Sequence, residues 1–448
     1  MVATAKRSNV RLRGLQVPVR ELQDPKPTPM KSKKRPYAIL RALLYSYILL
    51  WIFEGALRKW VFPSFSEFLF FARDPIVGAT YVLAFRARLF PKNWIVWAFT
   101  LLGVVSAAIA ILFHGLPIHV VAVGYWSYFW PIPMIYIYAR IFDQTDVKRI
   151  LAVLIILSLP IAVLEILQFQ NPAGAKVNAI VGQTEYRYDE EFLKYGRVRP
   201  SGTFAYVGGS SLFFTLIFAS AFVLLFTERR PWLAALGLAS SAVSLSVCHS
   251  RTQVASYLIA LLILGVAMGR VFLRRMNRVA LTALFSVALA FLLLQTPFAQ
   301  KNIELLSERF FGARTDNPIQ RFWYDVLPES RKFQIGAIAG YGLGVGTQAG
   351  AYLLVGRRAF LLAEGEVARL ILELGLPLGL ALIGLRVVLM VDALFRALGG
   401  MRRGNVLPLS LFACVFIPAV SATWSLSVIQ GFIVWCTGLV FAASKEKA

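Results

Sequence analysis

Apolar stretches long enough to cross a bilayer recur along almost the whole of this chain, and few features restrict a fold so tightly. A helix needs about 20 mostly apolar residues to cover the hydrocarbon core. Such runs lie near 38–57, 69–85, 93–113, 117–139, 149–169, 205–226, 232–248, 252–269, 279–297, 366–395, 406–423 and 426–443. Backbone polar groups in lipid must be satisfied within the segment, so the expected fold is an all-α polytopic integral membrane protein with about twelve transmembrane helices. Arg73 and Asp74 interrupt the second run, and the last two are joined so tightly around Thr423 to Leu426 that they read as a hairpin.

Composition excludes the alternatives. Of 448 residues, 58% are hydrophobic and 16% charged, whereas a soluble domain carries about 25% charged residues. The net charge of +24 raises nucleic acid as a partner, but basic cytoplasmic loops account for the same excess. The first 36 residues hold ten Lys/Arg, two acids and five prolines. They lack an apolar core and a small-residue cleavage site, and so read as a disordered basic cytoplasmic tail ahead of a transmembrane domain over 37–444. Such a cluster beside a membrane meets anionic lipid at about 1 kcal/mol per residue, so membrane lipid is the expected partner and no nucleic acid is.

With the tail inside, the short cytoplasmic loops carry Arg86, Arg88 and Lys92; Arg140, Lys148 and Arg149; Arg229 and Arg230; Arg270, Arg274, Arg275 and Arg278; and Arg396, Arg402 and Arg403. This is the positive-inside pattern, and it places both termini in the cytoplasm. Two outer segments are long, about 170–204 and 297–363, the second between the ninth and tenth runs. Connections of that length are uncommon unless they carry function, so binding or chemistry is expected on the outer face.

The first outer segment ends Arg197-Val198-Arg199-Pro200-Ser201-Gly202-Thr203 directly before a span. Two arginines, with Ser201 and Thr203 hydroxyls and backbone N–H groups at a helix N-terminus, suit a phosphate; equally, Arg197 and Arg199 can anchor at lipid headgroups. Arg251 stands alone in the tight outer turn Cys248-His249-Ser250-Arg251-Thr252, where the charge bias disfavours it. His249, His114 and His119 are isolated and read as interfacial side chains. The larger segment holds Arg321-Phe322-Trp323-Tyr324-Asp325 and a glycine run from Gly340 to Gly346. The spacing of that run is wrong for a dinucleotide fold, and it reads as a close-packed turn. Glu366, Arg369 and Glu373 share one helical face, where a salt-bridge ladder is one reading. Glu364, one residue outside that helix, is the candidate exposed base. Cys248, Cys414 and Cys436 lie in apolar surroundings and suggest neither disulfides nor zinc. No metal or cofactor is expected.

Twelve spans, Arg199 to Gly202 ahead of the sixth, Ser250-Arg251 after the seventh, and Gly340-Tyr341-Gly342-Leu343-Gly344 ahead of the tenth resemble the O-antigen ligase and polymerase superfamily. The similarity extends over most of the chain from about residue 40, and the order of the short motifs is its specific part. It implies a metal-independent glycosyltransferase of the bacterial inner membrane. The implied donor is a polyprenyl-diphosphate-linked oligosaccharide, transferred at the outer face to a glycan or lipid-linked acceptor with inversion. Arg199 and Arg251, with Arg197 and Arg321, would hold the diphosphate. Ligases of the family carry a His-Asn or His-Ser pair where this chain has Glu364-Gly365, with the spacing to Glu373 and Gly375 kept. That departure favours a polymerase of exopolysaccharide or O-antigen repeat units, in which Glu364 takes the acceptor's proton, over a ligase. The competing classes are a transporter or flippase of lipid-linked sugars and a non-enzymatic member of an assembly complex.

Overall fold

A computed structural model describes residues 34–181, 192–193, 197–227, 231–274, 338–357 and 359–445. Helix α1 (Lys34–Ala56) widens into a π turn at Leu57–Val61, followed by a 3-10 turn, Pro63–Phe65, and the one-turn α2 (Ser66–Leu69). Then come α3 (Asp74–Arg86), α4 (Trp94–Leu112), α5 (Ile118–Tyr128), α6 (Ile132–Ile141) and α7 (Gln144–Gln170). A two-residue antiparallel pair, β1 (Phe192–Leu193) with β2 (Arg197–Val198), precedes α8 (Val207–Thr227), α9 (Pro231–Cys248) and α10 (Arg251–Arg274). After the undescribed stretch stand α11 (Gln348–Val355), α12 (Glu366–Leu374), α13 (Leu376–Arg402), α14 (Leu407–Ser421) and α15 (Ser427–Ala443).

Among the described residues, seven segments are long and apolar enough to cross a membrane: Tyr37–Val61, Trp94–Leu112, Ile118–Ile141, Gln144–Gln170, Val207–Leu225, Pro231–Cys248 and Leu376–Arg402. Three shorter apolar helices, Arg251–Ala267, Leu407–Ser421 and Ser427–Ala443, accompany them. The run expected at 279–297 lies outside the described residues, as does most of the 297–363 segment.

Three expected spans differ in detail. The second is a helix of 13 residues, only about 20 Å long. It starts at Asp74-Pro75, an acid and a proline in the first turn that both favour a helix start. The 117–139 run breaks at Phe129 to Pro131, because a proline at 131 removes an N–H and Pro133 follows in the first turn of α6. The 366–395 run breaks at Gly375, whose φ of +80° is one that side chains rarely adopt.

The surface, rather than the core, differs from that of a protein in water. Leu101, Leu112, Val266 and Phe395 are each more than 60% exposed, while Glu54, Arg58, Arg73, Arg369 and Arg386 are buried. An apolar belt around a partly polar interior is what a lipid solvent selects. Trp51 of α1 sits at the centre, its ring 5.0 Å from Phe204 and 5.2 Å from Trp435. Its Nε1–H donates to the Val428 carbonyl at 2.7 Å. At the other end of α1, Arg41 pairs with Asp146 at 2.8 Å. Asp146 and Asp143 form the reciprocal cap that starts α7. The two helices are thus pinned at one end, leaving their far ends, near Lys59 and Gln168, to frame a site.

Candidate functional site

The segment Arg199 to Phe204 is held from three directions. Lys59, in the π turn, is buried and its Nζ donates to Ser201 Oγ and to the Phe204 carbonyl, both at 2.6 Å. Gln168, in the last turn of α7, uses both ends of its amide on one glycine. Its Oε1 accepts the Gly202 N–H at 2.8 Å and its Nε2 donates to the Gly202 carbonyl at 3.3 Å. The third support is steric: a Cβ at Gly55 would collide with the backbone of Thr203 to Ala205, so α1 and this segment cross in backbone contact. π turns are rare and often mark functional positions, since the extra residue re-aims a side chain. Here the turn carries Lys59.

Arg199 then links this segment to the α9–α10 turn. Its Nε donates to the Cys248 carbonyl at 3.4 Å, three residues before Arg251. Ser250 Oγ accepts the Gln253 N–H at 3.3 Å and so caps α10, with Arg251 as that helix's first residue. His249 has φ +49° and is fully buried, its ring stacked 5.6 Å from Phe169. A non-glycine residue in that conformation costs free energy that the surroundings must offset, and such strain gathers at functional turns. Because its ring is buried, His249 shapes the turn and is not an exposed base.

Between these elements lies an open pocket of about 260 Å³, counting the space open to solvent, lined by Lys59, Gln168, Asn178, Arg199 and Ser201 among others. Its described lining holds two cations and no acid. Guanidinium and ammonium donors around one cleft favour a multiply charged oxyanion, and a guanidinium adds bidentate geometry that a diphosphate can match.

No protein-family model and no curated protein matches the chain.

The other expected residues fall in several places. Arg197 opens β2, paired with Leu193, and Arg321 lies outside the described residues. Ser201 and Thr203 are not at the N-terminus of a helix: α8 begins at Val207, because the Lys59 and Gln168 bonds hold residues 201–204 in a turn. Ser201 Oγ already accepts from Lys59, so its lone pairs are partly committed to the fold. Thr203 Oγ1 is buried with no hydrogen-bond partner among the described residues. Glu364 is exposed on the loop before α12.

Behind Glu364 lies a buried ionic cluster that the expected ladder only half describes. Glu366 accepts from Arg369 and, at 2.7 Å, from Arg386 Nη1 across the α12–α13 corner. Arg386 in turn lies 4.2 Å from the centroid of the Trp424 ring. Glu373 faces elsewhere. Its Oε1 accepts the Gly344 N–H at 2.5 Å and its Oε2 the Tyr128 hydroxyl at 3.0 Å. With Tyr341 N–H to Leu372 O and Gly342 N–H to Glu373 O, each at 2.8 Å, this fastens the glycine run to the end of α12 as a close-packed turn. Among the described residues no three His, Cys, Asp or Glu side chains gather as metal ligands would. The three cysteines are free and buried.

Lys59, Gln168 and Arg386 are absent from the sequence reading. Arg386, a cation well inside an apolar run, carried a legible signal, since such residues are expensive in lipid and ask for a reason. Lys59 and Gln168, at the ends of their runs, carried none.

Proposed function

We propose that the chain is a metal-independent glycosyltransferase at the outer face of a bacterial inner membrane, with twelve spans and both termini in the cytoplasm. In this reading it polymerises exopolysaccharide or O-antigen repeat units carried on a polyprenyl diphosphate. One observation carries the proposal: Lys59 and Arg199 line a single pocket, and Arg199 fastens it to the turn that bears Arg251. The resemblance to the O-antigen ligase and polymerase superfamily supports it through the same two arginines.

Outside the cytoplasm no nucleotide sugar is available, so the donor has to arrive activated on a lipid. The acceptor hydroxyl oxygen attacks the anomeric carbon of the donor as the bond from that carbon to the diphosphate oxygen breaks. The hydroxyl proton passes to the Glu364 carboxylate, which is exposed and so reachable by an acceptor. Charge growing on the departing diphosphate is met by Arg199 and Arg251, with Lys59 beside them. The Cys248 carbonyl already holds Arg199 and Ser201 holds Lys59, while the Ser250 cap fixes the start of the helix that carries Arg251, so little reorganisation of the first two is needed during the reaction.

Deleting the gene and examining surface glycan tests the proposal. Loss of chain length with a short repeat still attached supports the polymerase. Long carrier-linked polymer that never reaches its acceptor indicates a ligase. Unaltered surface glycan contradicts both. A transporter of lipid-linked sugars is a second reading, favoured by the helix breaks at Phe129 to Pro131 and at Gly375. Broken helices with buried charges are transporter features. That reading requires single carrier-linked repeat units to accumulate on the cytoplasmic side of the deleted strain.

A further inference from the structure

Helix α7 carries a buried acid that has no part in the proposed chemistry. Glu165 lies one turn before Gln168, inside the membrane-length segment Gln144–Gln170, and is fully buried. An ionisable side chain in such a segment is expensive and marks a functional position whose partner has to be named. Ile161, Glu165 and Gln168 share one face of α7 by their i, i+4, i+7 spacing, and Gly202 sits on that face. A Cβ added at Gly202 would lie 3.0 Å from Ile161 Cγ2 and 3.5 Å from Glu165 Oε1. With φ at +57°, glycine is favoured there by conformation as well as by space. Lys59 reaches the same residue, with Nζ 3.5 Å from the Gly202 carbonyl oxygen, and its ammonium acts electrostatically on the Glu165 carboxylate. The acid therefore stands one layer beneath the pocket of Lys59 and Arg199 without belonging to its described lining.

Hydrogen bonding alone does not account for a carboxylate at this place. Its Oε1 accepts from the Ser210 hydroxyl of α8, whereas its Oε2 has no hydrogen-bond partner among the described residues. A glutamine would accept the same bond without a net charge, and polar groups that serve only to join membrane helices are usually neutral. The second oxygen adds an unsatisfied buried acceptor, which is a cost. What the carboxylate supplies in return is negative charge, in a setting whose low dielectric lets the field reach the pocket. We propose that Glu165 is a positioning residue for the cationic pocket, an anionic counter-charge beneath Gly202 that weakens the hold of Lys59 and Arg199 on a bound diphosphate. Cations that bind the departing diphosphate as firmly as the donor slow release without speeding the chemistry, and a fixed negative charge below them offsets that. The assignment rests on the reading above that the pocket holds a lipid diphosphate, and it deepens that reading by naming what sets the affinity.

The test is a titration of the full chain in nanodiscs of uncharged lipid with farnesyl diphosphate, farnesyl monophosphate and farnesol, comparing the wild type with Glu165→Gln, Glu165→Ala and Glu165→Asp. Glu165→Gln is expected to bind the diphosphate about threefold more tightly or better and to release it more slowly by a similar factor. The gain should be smaller for the monophosphate and absent for farnesol, because Coulomb energy scales with the ligand's charge. Glu165→Ala carries the same expectation, so misfolding of one charge-removing variant leaves the other. Glu165→Asp keeps the charge and should stay within about twofold of the wild type. A role in packing or hydrogen bonding alone predicts unchanged or weaker binding. Either result from the folded charge-removing variants overturns the proposal, as does an equal gain for all three ligands or a gain in Glu165→Asp that matches Glu165→Gln. A wild type that prefers the diphosphate, with no gain on loss of Glu165, removes the counter-charge and keeps the pocket. No diphosphate binding by any of the four proteins removes both.

Discussion

Arg199, Arg251 and Lys59 are three cations with unequal duties. Removing one preorganised donor from a developing oxyanion costs roughly 10²–10³-fold in rate. Arg199→Ala and Arg251→Ala should therefore each reduce polymer synthesis in membranes by about that factor while the protein stays inserted at its usual level; undiminished polymer from both would remove the assignment. Arg199→Lys should restore only part of the activity, because an ammonium lacks the planar fork. Lys59 also holds Ser201 and the Phe204 carbonyl, so Lys59→Met should lower both activity and thermal stability, a combination that separates it from Arg251. In sequence Arg251 stood out because it is alone in a tight outer turn where basic residues are disfavoured, and Arg199 because it lies beside the Ser201 and Thr203 hydroxyls directly before a span. Lys59 did not, since a lysine ending an apolar run reads as an anchor at the headgroups, and its partner lies 142 positions away.

At the scale of the elements, close crossings and corners decide whether the site assembles. Gly55→Ala puts a Cβ against the backbone of 203–205, which cannot yield as a flexible side chain would; at Gly78, also helical, an added Cβ meets nothing within 4 Å. Overpacking of this kind costs about 1–3 kcal/mol, so Gly55→Ala should lower the unfolding midpoint in detergent and Gly78→Ala should not. Equal midpoints would mean that α1 and the Arg199 segment do not cross in backbone contact. The α12–α13 corner depends on Glu366, which joins Arg369 and Arg386. Stranding buried cations costs about 3–5 kcal/mol, so Glu366→Gln should sharply lower the amount of protein in the membrane, and wild-type levels would contradict the pairing. Most helices were legible because apolar length in lipid leaves the backbone little choice. The breaks were less so: Pro131 and Gly375 sit inside runs whose hydropathy does not change, and only local backbone chemistry marks them. The turn at residues 201–204 reads in sequence as a helix start because the bonds that hold it come from distant residues, Lys59 in the π turn and Gln168 in α7.

For the whole molecule, the proposed function requires that the cationic pocket open on the side of the membrane away from the basic loops. The native cysteines are free and buried, so single cysteines can be introduced on a quiet background. An impermeant maleimide added outside spheroplasts should label Glu364→Cys and spare Arg403→Cys, and the opposite pattern would invert the topology and with it the proposed chemistry. The central claim, that the pocket around Arg199 holds a lipid diphosphate, is tested most directly by binding. Wild-type protein in nanodiscs is titrated with farnesyl diphosphate and with farnesyl monophosphate, alongside Arg199→Ala. The diphosphate is expected to bind the wild type at least tenfold more tightly than the monophosphate, and Arg199→Ala to lose this preference. Equal affinity for the two lipids in the wild type, or an unchanged preference in the variant, would contradict it.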